Sequence, residues 1–348
     1  MLKFTGPHRY PSPRSDWLAL VHEDILEPDL PIVDAHHHIW EQEGNVYGLP
    51  ELHSDLSDGH NIVATVVVEA HAFYRKVGPK SLRSVGETET LIGLLKNAPD
   101  LAAKGYCQAI VANVDLTLGT GVEDVIETHL QAAPNRVRGV RHMVCRDPHY
   151  PKGITIAPAP ECLLKQVAYR DGLRTLERLG MNYDAMLYHS QLSDLVETVE
   201  LVPDLSVVLD HYGMPLGVGP YVGRSDEVFS TWRTNIRRLA EFPNVTVKLG
   251  GLGMILTGAN WHENPLPPTS KELMVAWRPW FEACLEAFGA ERCMFESNFP
   301  VDKGMFSYRT LWNSFKRLAR GMSLQEQKFL FHDTACRVYH LNVLGEGI

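Results

Sequence analysis

Pro31-Ile32-Val33-Asp34-Ala35-His36-His37-His38-Ile39-Trp40 is an apolar run that ends in three histidines and a tryptophan. Read as a short buried strand over 31–38, its period of two places His36 and His38 on one face and His37 on the other. Two imidazoles on one strand face can grip one metal ion. Their place at the C-terminal end of the strand is where parallel α/β barrels keep their chemistry.

The same arrangement recurs downstream. Apolar, β-branched runs at 61–69, 106–113, 137–144, 183–189, 206–211, 245–250 and 292–298 bring the strands to eight, and helical periodicity marks 88–98, 122–132, 160–179, 192–201, 230–241 and 271–288 between them. Near-continuous apolar strands alternating with amphipathic helices predict a parallel sheet covered on its outside. Closing eight such strands gives a (β/α)8 TIM barrel. An open doubly wound sheet lacks its usual reason, because no Gly-x-Gly-x-x-Gly follows any strand. Helices at 308–320, 323–331 and 334–341 close the C-terminus, the second opening on a capping box of Ser323 and Glu326. Residues 1–30, with Pro7, Pro11, Pro13 and Pro28 and a short helix near 17–24, read as an N-terminal arm, and 31–348 as one barrel domain. Long connections at 70–87, 145–159, 212–229 and 251–270 follow strands two, four, six and seven, which predicts a distorted barrel whose catalytic-face loops shape a pocket.

Composition narrows the function classes. The formal net charge of −9 and pI near 6.0 argue against nucleic acid and anionic membrane, both of which need basic patches. No run of 18 apolar residues and no secretory signal is evident, and the six cysteines show no Cys-x-x-Cys spacing, so the expectation is a reduced, cytoplasmic protein acting on a small molecule. Whether it forms a homo-oligomer is left open.

Polar residues gather where the strands finish: His36 and His38 on the first, Glu69 and His71 on the second, His142 on the fourth, His189 on the fifth, Asp210 and His211 on the sixth, Lys248 on the seventh, Glu296 and Asn298 on the eighth. Sixteen histidines scattered at random would not fall so often at strand ends. After the second strand, Arg75, Lys76, Lys80 and Arg83 put four cations in nine residues of an acidic chain, which suggests capture of a carboxylate. A solvated charged loop is the plainer reading. Tyr74 beside Arg75, His142 and Trp40 complete the candidate substrate-binding set. Lys248 either binds a substrate anion or pairs with Glu296.

Asp34-Ala-His-x-His-x-Trp40 after an N-terminal apolar strand resembles the first-strand signature of the amidohydrolase superfamily, and more narrowly its lactonase-like branch, which includes 2-pyrone-4,6-dicarboxylate lactonase and fuconolactonase. His189 and His211 fall where that superfamily keeps its fifth- and sixth-strand histidines. The resemblance implies a metal-dependent hydrolase of a lactone or related C–N bond, with a divalent metal, zinc first and manganese or iron as alternatives. It assigns His36, His38 and His189 as metal ligands, with Glu69 and Glu296 as further candidates. The eighth strand departs from the family's Gly-Ser-Asp-x-Pro: here it reads Glu296-Ser297-Asn298-Phe299-Pro300. An amide takes no proton at neutral pH, so Asn298 cannot act as the aspartate does. Glu296, sharing its face, is expected to restore the missing carboxylate as base, with His211 and Lys248 steadying the substrate. Three rivals stand beside hydrolysis: a non-oxidative decarboxylase, a dinuclear iron or manganese oxygenase, and an inactive partner subunit.

Overall fold

The computed structural model describes residues 10–42, 44–149 and 159–343. Parts of two expected segments, residues 1–9 of the N-terminal arm and 150–158 of the connection after the fourth strand, lie outside the described residues, as do 344–348.

Eight apolar runs form eight parallel strands: β1 (Ile32–His37), β2 (Ile62–Val68), β3 (Ala109–Asn113), β4 (Val137–Arg141), β5 (Asn182–Ala185), β6 (Val207–Leu209), β7 (Val245–Leu249) and β8 (Cys293–Phe295). They pair in sequence order, as right-handed crossovers through helices require. The two ends of the sheet meet through an isolated parallel bridge between His37 and Phe299. His38 N donates to Phe299 O at 2.7 Å, Asn298 N to His36 O at 2.8 Å, and Ser297 N to Asp34 Oδ1 at 2.8 Å. These contacts close a (β/α)8 TIM barrel.

The expected helices are present, with altered ends. Val122–Ala132 falls where its periodicity placed it, whereas 160–179 divides into a 3₁₀ turn at Leu163–Lys165 and a helix at Val167–Leu179. Near the N-terminus the helix is Ser15–Leu18, earlier and shorter than expected. Ser323 does form its capping box, and Leu324–Lys328 runs through a π turn, Phe329–Asp333, into Thr334–Tyr339. An unexpected antiparallel hairpin, Trp40–Gln42 with Asn45–Tyr47, and a helix, Leu49–Leu56, stand between β1 and β2. Their segments are too short and polar to announce themselves by periodicity.

Register divides the barrel interior into two levels. Val33, Ala64, Val66, Ala109, Val208 and Met294 pack as an apolar lower layer. The helix Thr334–Tyr339 covers that end, with Val338 and Tyr339 in the same cluster and Asn182 Nδ2 donating to Val338 O at 2.7 Å. Above this plug the inward face turns polar.

Candidate active site

The first strand is not a plain period-two strand. Asp34 pairs with Thr65 but His37 with Val67, so one extra residue is accommodated between them. Such a bulge re-aims the side chains after it. A strict alternation from Val33 would send His37 inward; instead His37 turns to Thr65, its Nε2 at 2.8 Å from Thr65 Oγ1. His36 and His38 point together into the barrel mouth, their Nε2 atoms 3.2 Å apart. His38 Nδ1 donates to the Val68 carbonyl at 2.9 Å, which leaves a lone pair on Nε2.

Glu296 reaches both remaining imidazoles. Its Oε1 lies 2.6 Å from His211 Nδ1, and its Oε2 2.9 Å from His36 Nδ1 without hydrogen-bonding alignment. Room for the longer side chain comes from Gly250 and Gly251. A Cβ on Gly250 would overlap Glu296, and one on Gly251, at φ +75°, would lie 2.6 Å from His211 Nδ1. His211 itself adopts φ +54° and Asn298 φ +56°, left-handed conformations that non-glycine residues hold where surrounding structure enforces them.

Beneath the histidines is a fully buried charge cluster. Arg141 Nε donates to Glu69 Oε1 at 2.7 Å, Nη2 to the Glu69 carbonyl at 2.5 Å, and Nη1 to Asp210 Oδ2 at 3.4 Å. Lys248 Nζ lies 2.6 Å from Asp184 Oδ2 and 3.0 Å from Asp210 Oδ1, and Tyr339 OH donates to Asp184 Oδ2 at 2.7 Å. Burial works against every charge here, and the partners outweigh it at most positions. His211 and His36 hold Glu296 down to about 2 against its burial. Lys248 and His36 hold Asp210 well below the carboxylate range. Glu296 raises His211 despite burial, whereas burial, then Lys248, lowers His36. Asp302, with weaker partners, is pushed by burial up to about 7.

These residues fit a divalent metal. Two nitrogens 3.2 Å apart match the edge of a tetrahedron with zinc–nitrogen bonds of roughly 2.0–2.1 Å. Donor atoms of His36, His211 and Glu296 lie within 4.8 Å of one another. The four carboxylates of Glu69, Asp184, Asp210 and Glu296 face the two cations Arg141 and Lys248, an excess of two negative charges when all are ionised and the imidazoles neutral.

A cavity of about 90 Å³ opens on this floor. His38, Arg141, His211 and Asn298 reach it from below, and Trp40 walls it, stacked between His38 and Tyr10 at centroid distances of 5.9 and 5.5 Å. Asn298 Nδ2 donates to Asp302 Oδ1 at 3.1 Å, which leaves the amide oxygen for the cavity.

Other expected site residues lie elsewhere. His189 is outside the cluster: β5 stops at Ala185, and His189 opens a 3₁₀ turn where its Nδ1 accepts from Leu216 N at 3.2 Å and its ring meets Tyr221 edge-on. His142 Nδ1 accepts from Leu116 N at 3.0 Å, and its ring lies beside Tyr169. Arg75 is half-buried and ion-paired with Glu89, its Nε 2.9 Å from Glu89 Oε2; neither it nor Tyr74, whose OH lies 3.4 Å from His71 Nδ1, lines the cavity. Glu69 and Lys248 are in the buried cluster, each bonded to opposite charge. Sequence reasoning passed over Asp184 and gave Arg141 no role in the site. Both face inward by register with Lys248.

Comparison with known proteins gives the family and the fold. A family model described as amidohydrolase matches residues 33–341. Uncharacterized protein y4mH of Sinorhizobium fredii is 32% identical over 329 residues, covering 90% of this chain and 99% of that protein. L-fucono-1,5-lactonase of Burkholderia multivorans is 26% identical over 323 residues, covering 89% and 96%. A crystal structure of a Burkholderia multivorans amidohydrolase with bound zinc superposes with a TM-score of 0.69 at 24% identity, over 89% of this chain and 99% of that one. With β1's paired histidines, the barrel that carries them and the family match spanning both, the chain belongs to the amidohydrolase family.

Proposed function

We propose that this protein hydrolyses the ester bond of a small lactone, using a divalent metal, zinc first, held by His36 and His38 with Glu296 beside them. One observation carries the reading: the cavity-facing His211 has its Nδ1 fixed by Glu296 at 2.6 Å, next to the paired Nε2 atoms of His36 and His38. An ion bound there supplies Lewis acidity, polarising a carbonyl and lowering the pKa of water to about 7. Glu296 is fully enclosed and does not line the cavity, so it serves less well as the base itself than as the group that orients one. Its carboxylate accepts the His211 Nδ1 proton and raises the basicity of the ring, leaving Nε2 to take a proton from water. This relation replaces the family's missing eighth-strand aspartate. Arg141 and Lys248 hold the buried carboxylates in place, and Asn298 offers its amide oxygen to the cavity.

The test is metal analysis of protein purified without chelators, beside the His36→Ala/His38→Ala double variant, with lactone hydrolysis followed by acid release. The expected result is about one equivalent of zinc and measurable hydrolysis, both lost in the variant. Carbon dioxide release or oxygen uptake without ester hydrolysis would replace this reading with decarboxylation or oxygen chemistry. Absence of metal and activity alike would leave a partner subunit.

A further inference from the structure

The wall of the cavity narrows the substrate. Met143, Met186, Met214 and Met254, from the segments following β4, β5, β6 and β7, line it together with Trp40 and Ile255. Met143, Met214 and Met254 are buried among the barrel's core residues. Thioether chains are flexible and polarizable, so they mould to apolar groups of varied outline but accept hydrogen bonds poorly.

Positive charge is committed elsewhere. Among the described residues, Arg141 is the one lysine or arginine that lines the cavity, and all three of its nitrogens are engaged by Glu69 and Asp210. Lys248 is buried below, on Asp184 and Asp210. The loop arginine that prompted the expectation of a carboxylated substrate, Arg75, is paired with Glu89. Nor does the cluster carry surplus positive charge when its carboxylates are ionised and its imidazoles neutral: four carboxylates against two cations leave an excess that a dication cancels and does not reverse. A second carboxylate in the cavity would be buried without a partner. On the methionine wall, sugar hydroxyls would lie against sulfur and hydrocarbon.

We infer that the substrate is an uncharged lactone whose apolar alkyl substituent packs on the four methionines while its ester meets His211 and Asn298. This rests on the lactone hydrolysis proposed above, and the experiment separates the two. Zinc-loaded full-length protein is assayed with δ-decalactone, with the same ring bearing a terminal carboxylate on its alkyl arm, and with D-glucono-1,5-lactone. The expected kcat/KM for δ-decalactone exceeds each of the others at least tenfold. The partly buried Met186, changed to Lys, narrows the gap to the carboxylated ring at least tenfold while leaving the circular dichroism spectrum intact. Equal or reversed preference in the parent protein overturns the inference and leaves lactone hydrolysis standing. If no lactone is hydrolysed, the reaction falls, and calorimetry with the corresponding δ-lactams decides the inference separately. Binding of the alkyl lactam at least tenfold tighter than the carboxylated one upholds it, and anything less overturns it.

Discussion

Glu296 is the residue on which the site turns, because it touches two imidazoles and is itself touched by no solvent. Glu296→Gln keeps the shape but removes the charge that makes His211 basic. The expected loss in kcat is about 10²–10⁴-fold, the range for losing a base or the carboxylate that orients it. His211 would also titrate lower, so the acid limb of the pH–kcat/KM profile should move to lower pH; an unmoved limb would show that Glu296 does not act through His211. Gly251→Ala tests the space around that ring. Its Cβ would stand 2.6 Å from His211 Nδ1 on a backbone at φ +75°, and the expected cost is about 1–3 kcal/mol in urea unfolding with a parallel fall in kcat. Lys248→Met leaves Asp184 and Asp210 buried with one cation fewer. A destabilisation of about 3–5 kcal/mol is expected, and a stable, active variant would refute the charge balance drawn for the cluster.

Among the elements, β1 shows what the sequence made legible and what it hid. The pairing of His36 with His38 followed from their spacing. The bulge that brings them inward did not, because nothing in Val33-Asp34-Ala35 distinguishes a bulged strand from a straight one. His211 was found because β6 ends two residues before it, whereas extending β5's alternation to His189 failed, since that strand stops at Ala185 and the chain then turns. Asp184 stayed hidden for a different reason: a charge inside a strand looks like solvent exposure until register shows its partner. The capping box at Ser323 was readable because its determinants are local.

Local readings also gave no sign of the joint between residues 26–27 and the helix Tyr308–Leu318. Lys316 Nζ donates to the carbonyls of Leu26 and Glu27 at 2.7 and 2.9 Å and lies 2.9 Å from His60 Nδ1, while His60 Nε2 donates to Arg309 O at 3.2 Å. Burial, then Lys316, holds His60 down to about 3, against 6.5 when unfolded. A histidine with a depressed folded pKa stabilises above its unfolded value, and that stability drains away as pH falls from 6.5 toward 3. By pH 4.5 the loss is about 2–3 kcal/mol. Urea midpoints of the parent and His60→Gln at pH 7 and 4.5 check this: the variant should lose correspondingly less on acidification, and an identical loss would remove His60 from the account.

For the whole molecule, buried charge is the term that metal is expected to answer. With all four carboxylates ionised and the imidazoles neutral, the barrel interior holds an excess of two negative charges, and a dication binding only the folded state adds stability by mass action. At a hundredfold to thousandfold excess of zinc over Kd the gain is about 3–4 kcal/mol. A chelator should therefore lower the Tm of the parent protein and leave the His36→Ala/His38→Ala variant unmoved; equal shifts in both would place the ion elsewhere. No helix among the described residues is long and apolar enough to cross a membrane. The closure of the barrel has one more consequence, which concerns time. Asp34 and Ser297, joined across the seam, stand 263 residues apart, and the same seam brings His36 to Glu296. A ribosome therefore delivers the paired histidines first and their carboxylate almost last. Through most of synthesis the nascent chain holds the histidines without their carboxylate, and the cluster is complete only after the last strand has docked against the first.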